Sequence, residues 1–235
     1  MTEPILIKPL GRSAYGSIPH LPGSRLGPGD HHISPGQARI CCEKVRDKLD
    51  RIFVQEKLDG SCTAVTRLDG EIIALGRSGY LARSSPYEMH QMFAAWVDAN
   101  RTRVLSILKE GQTLVGEWLA QAHGTRYELT GDPWVPFDLM DRPAYTRWPL
   151  AEFSLLVASV GFTVPHVVSE RPTTPEKAME LLKVSSHGAI DPVEGAVWRV
   201  ERKGRVDFLA KFVRHDKVDG LYLPELSGKP AVWNW

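Results

Sequence analysis

The sequence predicts an α+β protein. Apolar, β-branched runs come in pairs around tight turns, at Leu68-Asp69-Gly70 and at Lys203-Gly204. An Asp-Gly between such runs is a strong hairpin signal. Between the pairs lie stretches with helix starts and helical apolar spacing. The chain has 235 residues with 43% hydrophobic and 24% charged content, which suits one sizeable soluble domain over residues 1–235.

Residues 1–38 are rich in Gly and Pro and read as a flap or ordered loop, with only Ile5-Leu6-Ile7 strand-like. Arg12, His20 and Arg25 in it are candidates for phosphate contact, weighed against a plain structural wrap. Residues 36–51 are a helix candidate whose Glu, Lys, Arg and Asp side chains suggest a solvated face. A hairpin is expected from Phe53 to Arg77. Ser85-Pro86-Tyr87-Glu88 reads as a helix start. The helix runs to about 108, with Met89, Met92, Phe93, Trp96 and Val97 as its core face. Strands are expected over 113–119 and 134–141, and helices over 149–161 and 175–184, the last capped by Thr174. The chain closes with strands over 193–199 and 205–214. Alternation sets Asp207, Leu209, Lys211 and Val213 on one side of the last strand.

A net charge of +1 announces neither a basic tail nor a polyanion-binding surface. No apolar run approaches the roughly 20 residues of a membrane span. The Met-Thr-Glu-Pro start lacks the pattern of a secretory signal. Three cysteines give no disulfide framework, which fits a cytoplasmic setting. Neither a G-x-x-x-x-G-K-[ST] nor a G-x-G-x-x-G phosphate cradle is present.

Four residues stand out for chemistry. Lys57 lies in Lys57-Leu58-Asp59-Gly60, between two β-rich runs. If the strand period holds through that segment, Lys57 and Asp59 point the same way. A lysine amine is a nucleophile only when neutral, against an ordinary pKa of about 10.4. Glu117 is the one charge in Thr113–Leu119, where a carboxylate needs a partner or a ligand. Lys211 sits in an otherwise apolar strand and calls for an anion. Glu194 opens the strand before it as Glu-Gly.

In order along the chain, Lys57 in K-x-D-G, Arg77 in G-R-S-G, Glu117 in V-G-E-W, Phe137, Glu194 in E-G-A-V and Lys211 resemble the motif series of the covalent nucleotidyltransferase superfamily of polynucleotide ligases and capping enzymes. The resemblance spans about Phe53 to Arg214. It implies two antiparallel sheets with flanking helices, an ATP-grasp-like ligase core with the nucleotide in the cleft. It implies that Lys57 attacks the nucleotide α-phosphate, with Asp59 completing its motif. Arg77 then contacts ribose or a strand end, Glu117 the ribose, Phe137 the base and Lys211 the α-phosphate. Glu56, beside the nucleophile, joins the nucleotide-binding set, and Glu194 with Asp59 holds the divalent metal. One departure is Leu209, where many members carry a further lysine; Arg205, Arg214 and Lys217 are the possible replacements.

Only 21 residues follow Arg214, too few for a five-stranded OB barrel. The resemblance therefore points to a small stand-alone ATP-dependent RNA ligase core. Its expected cofactors are ATP and Mg2+ or Mn2+. Its expected partners are nicked or broken RNA and an end-healing kinase or phosphatase, in RNA repair. A minimal ATP-dependent DNA ligase and a nucleotide- or RNA-binding module that has lost ligation are the alternatives.

Overall fold

A computed structural model describes residues 7–235. Ile5 and Leu6 of the expected first strand lie outside the described residues. The fold is α+β, with two antiparallel sheets and flanking helices. The chain forms two compact units that interleave along the sequence.

The first unit takes in residues up to 16, 61–121 and 132–164. Its five-stranded sheet has the order β3-β2-β4-β5-β6. The strands are β2 (Ser61–Leu68), β3 (Glu71–Gly76), β4 (Gln112–Trp118), β5 (Trp134–Asp141) and β6 (Thr146–Arg147). Asp69 and Gly70 both take positive φ, 52° and 78°, as the tight turn between β2 and β3 requires. The Glu110 carboxylate accepts from both of their amides. Helix α2 (Glu88–Ala99) lays Met89, Phe93, Trp96 and Val97 into the core, while Met92 is half-buried. Phe93, Trp96, Trp118, Trp134 and Phe162 form one aromatic cluster with ring centroids 5.4–6.4 Å apart.

The helix expected to run from Ser85 to about 108 is two helices, α2 and α3 (Arg101–Leu105), broken at Asn100. The Asn100 side chain donates to the Trp96 carbonyl, competing with the helical ladder. Ser85 is not the N-cap; its hydroxyl meets His90 Nδ1 and accepts from the Tyr87 amide. Helix α4 spans Leu150–Ala158.

The second unit takes in residues 17–60, 122–131 and 165–235. Its four-stranded sheet has the order β7-β1-β8-β9. The strands are β1 (Asp50–Lys57), β7 (Val167–Ser169), β8 (Gly195–Arg202) and β9 (Arg205–Val213). Helices α1 (Pro35–Cys42), α5 (Pro175–Leu181) and α6 (Pro224–Ser227) belong to it. Ile52, Val54, Ala196, Trp198, Val200 and Ala210 form the core face of this sheet. The expected Phe53–Arg77 hairpin is corrected here: β1 lies in the four-stranded sheet, and only β2 and β3 make the hairpin.

Ser34 and Gln37 close a capping box at the start of α1, and Thr174 caps α5 as expected. Helix α1 stops at Cys42, so the charged run to Arg51 is not a solvated helical face. Arg46 donates to Asp50 and Asp207, and Arg202 to Asp47 and Asp50. These ion pairs pin the loop to the strand ends. Buried Asp50 is pushed up by its burial, but the guanidiniums of Arg46 and Arg202 outweigh that and bring it from 3.8 to about 2.

Among the described residues no helix is long and apolar enough to cross a membrane. All three cysteines are free thiols.

Asp50→Asn is expected to cost about 2 kcal/mol at neutral pH. A depressed carboxylate pKa gives stability that is present above the ordinary value of 3.8 and lost as pH falls through about 2. Urea unfolding of both proteins at neutral pH and near pH 2 should show the difference shrinking in acid. An unchanged difference would contradict the ion-pair account.

Candidate active site

Lys57 is the last residue of β1 and pairs with Gly195, the first of β8. Gly195 is required there: a Cβ would sit 1.9 Å from the Phe212 carbonyl oxygen of β9. This close approach fixes Glu194 at the mouth of the ladder. Lys57 Nζ donates to Glu194 Oε2 at 2.5 Å. The side chain of Lys57 is 23% exposed and that of Glu194 only 8%, so the amine is the accessible partner.

The strand ends at Lys57, so alternation does not align Lys57 with Asp59 as the sequence suggested. A third residue joins them. Lys217 Nζ donates to Glu194 Oε1 at 2.6 Å and to Asp59 Oδ1 at 3.0 Å. Asp59 Oδ2 accepts from the Gly124 amide and the Thr125 hydroxyl. The Asp59 amide donates to the Tyr127 hydroxyl. Burial and the Glu194 charge push the Asp59 carboxyl above its ordinary value. Burial pushes Glu194 up too, but Lys57 and Lys217 together hold it below its ordinary value.

Lys211 lies on the same face of the sheet as Lys57. Cross-strand partners share a face, and Gln55, Val197 and Lys211 are in register. That face is opposite the one that carries Trp198. The anion that Lys211 calls for is Asp30, whose Oδ1 is 3.6 Å from Lys211 Nζ. Asp30 Oδ2 is 3.0 Å from His20 Nε2, and His20 Nδ1 meets Ser24 Oγ. The segment around them is hydrogen-bonded along β9, through Leu21 N to Lys211 O, Lys211 N to Pro19 O and Arg25 N to Val213 O. His20 is 1% exposed, so it is part of a structural wrap rather than open to phosphate. Arg25 pairs with Asp219, and the Arg12 guanidinium stacks over Tyr145.

Glu56 alternates away from Lys57 onto the core face and is 1% exposed. Its carboxylate accepts from the Ser185 hydroxyl and the Ser186 amide.

In the first unit, Glu117 and Phe137 are the half-buried positions amid the buried centres of β4 and β5. Trp118 shares the aromatic face of β4 with Gly116, where a Cβ would sit 2.6 Å from Trp134 Nε1. Glu117 therefore points to the opposite face. On β5 the register slips: Val115 pairs with Asp138 and Gly116 with Pro136, leaving Phe137 as a bulged residue. Tyr15 donates to Asp138, which also accepts from Arg147 Nε, and meets Phe137 edge-on at 5.3 Å. Arg77 is exposed; its carbonyl accepts from the amides of Ala14 and Tyr15.

The family model for RNA ligase matches residues 50–213, from the first residue of β1 to the last of β9. The chain belongs to the RNA ligase family. A Naegleria gruberi RNA ligase variant with ATP and Mn is similar in fold, with a TM-score of 0.52, 19% identity, and coverage of 83% of this chain and 58% of that one. An archaeal ATP-dependent RNA ligase has a TM-score of 0.46 and 19% identity over 70% of this chain and 42% of that one. The chain thus spans about half the length of these structures' chains. No curated protein matches it.

Among the described residues no group of three or more His, Cys, Asp and Glu is arranged to hold an ion. Asp59 and Glu194 form a pair that one cation already bridges. Two carboxylates suit a Mg-type ion whose other ligands are water and phosphate oxygens.

Of the three candidates for the charge absent at Leu209, Arg205 is exposed at the start of β9, and Arg214 is tied to Asp216 and the Val193 carbonyl. Lys217 alone reaches the carboxylate pair. Sequence reasoning missed Asp30, Tyr15 and the Asp138–Arg147 pair as neighbours of the singled-out residues. The lone lysine in the apolar strand was the signal for Asp30, since it demanded an anion that only the fold could supply.

Gly195→Ala is expected to destabilise the protein by about 3 kcal/mol, because two hydrogen-bonded strands must separate to admit one methyl group. Gly16→Ala, where an added Cβ meets nothing within 4 Å, serves as the near-neutral control. Thermal melts of the two variants should differ clearly. Equal melting temperatures would refute the close-approach argument.

Proposed function

We propose that the chain is an ATP-dependent RNA ligase that joins 3′-hydroxyl and 5′-phosphate ends. The observation that carries this reading is the Lys57 amine, partly accessible, 2.5 Å from Glu194 and on one sheet face with Lys211. In the first step the Lys57 ammonium gives a proton to water, and the neutral nitrogen attacks the α-phosphorus of ATP. A P–N bond forms, and the P–O bond to pyrophosphate breaks. The proton that the attacking nitrogen then sheds passes to water, and Glu194 holds the nitrogen in place. In the second step a 5′-phosphate oxygen of RNA attacks the same phosphorus, and the P–N bond breaks to return Lys57. In the third, a 3′-hydroxyl oxygen attacks the activated 5′-phosphate and AMP leaves.

Lys211 neutralises charge on the α-phosphate in this scheme. Glu117 takes the ribose, Phe137 stacks on the base, and Arg77 takes the ribose or a strand end. Glu56, its carboxylate already engaged, serves by fixing the strand that carries Lys57. A Mg2+ or Mn2+ ion supplies charge neutralisation at the phosphates when bound, and Glu194 with Asp59 would hold it. Phosphoryl transfer depends on positioning and charge rather than on covalent finesse, and this set of residues matches that demand. ATP and Mn accompany the Naegleria gruberi relative, which supports the same cofactors here.

Incubation with α-labelled ATP and Mg2+ or Mn2+, followed by denaturation, should leave label on the protein. Lys57→Ala should take none while keeping the circular dichroism of the folded protein. Label retained on that variant would exclude the mechanism. Chasing the adduct with nicked RNA and nicked DNA should discharge it on RNA; discharge on DNA alone would identify a DNA ligase instead. A well-folded wild-type protein that binds nucleotide or RNA but never takes label would be a binding module.

A further inference from the structure

Lys217 lies beyond the residues that the family model matches and has no role in the scheme above. Its ammonium is surrounded by carboxylates: Glu194 Oε1 at 2.6 Å, Asp59 Oδ1 at 3.0 Å and Asp219 Oδ1 at 3.3 Å. The side chains of Lys217, Asp59 and Glu194 are 7%, 6% and 8% exposed. A buried carboxylate pair repels itself unless a cation lies between. Lys217 is that cation, and it lies between the two carboxylates that would hold a divalent ion. With Lys57 on the far oxygen of Glu194, two ammoniums balance the two buried carboxylates. The remaining Asp59 oxygen is taken by Gly124 and Thr125. The pair is thus satisfied by the chain alone.

We propose that Lys217 is a built-in counterion that closes the Asp59–Glu194 pair to divalent metal in the nucleotide-free protein. Metal then enters this site with the nucleotide and not before it. Lys217 is a positioning residue, acting through the two carboxylates. The inference rests on the proposed assignment of those carboxylates to a metal.

The test is Mn2+ titration of the nucleotide-free full chain, with free Mn2+ read by electron paramagnetic resonance. The wild type should bind no stoichiometric Mn2+ at a concentration where Lys217→Met binds one ion at least about tenfold more tightly, since that variant leaves two buried carboxylates short of a cation. Lys217→Arg should behave as the wild type. Asp59→Asn combined with Lys217→Met should lose the gain. Added Mn2+ should raise the melting temperature of Lys217→Met and leave that of the wild type unchanged. One tightly bound Mn2+ per wild-type chain without nucleotide would overturn the proposal, whether or not the variants fold. So would a folded Lys217→Met that gains no binding. The labelling experiment separates the two readings. Labelled wild type with no Mn2+ gain in Lys217→Met removes the counterion alone. A gain in that variant, with wild type that takes no label, removes the ligase mechanism alone.

Discussion

Glu194 is shared by two lysines, and the second unit is organised around that sharing. A buried carboxylate is tolerated only with charge and hydrogen bonds to match. Here one oxygen takes Lys57 and the other takes Lys217, which also carries Asp59. Each member would be costly to bury alone. Together they are neutral, and they leave the Lys57 amine as the exposed edge of an otherwise closed group. The position of that amine is fixed by partners that are themselves fixed.

That quartet depends on backbone geometry more than on side-chain choice. Lys57 meets Glu194 because β1 ends opposite the start of β8, and β8 starts there because Gly195 lets Phe212 come close. Lys211 shares the face of Lys57 through an unbroken register from Gln55 to Val197. In the other unit the determining device is an irregularity. The β5 bulge re-aims Phe137, and Gly116 makes room for the Trp134 indole, whose Nε1 donates to Thr63. Glu117 is thereby left on the face away from the tryptophans.

The N-terminal segment is a component of the sheet edge. Its backbone bonds along β9, and its Asp30 lies 3.6 Å from the Lys211 ammonium. Composition left a flap and a structural wrap both open. Hydrogen bonding makes residues 19–25 part of the scaffold, with Leu21 fully buried and His20 nearly so.

What the sequence determined by itself is what depends on short spacing. The α+β class, the Asp69-Gly70 turn, the Thr174 cap and the strand at 134–141 follow from local propensity and period. The unusual charges, Lys57, Glu117, Glu194 and Lys211, show against apolar strands because burying a charge is expensive wherever the strand lies. Their order along the chain then sufficed for the family. What only the tertiary structure decided is which charges meet. Helix α1 stops at Cys42 because distant Arg202 and Asp207 claim the charged run that follows. Lys217 looks like any loop lysine until residues 59 and 194 are brought to it. Local rules reach a few residues, whereas these contacts span from 23 to 161 positions, and their energy exists only once the sheets have formed.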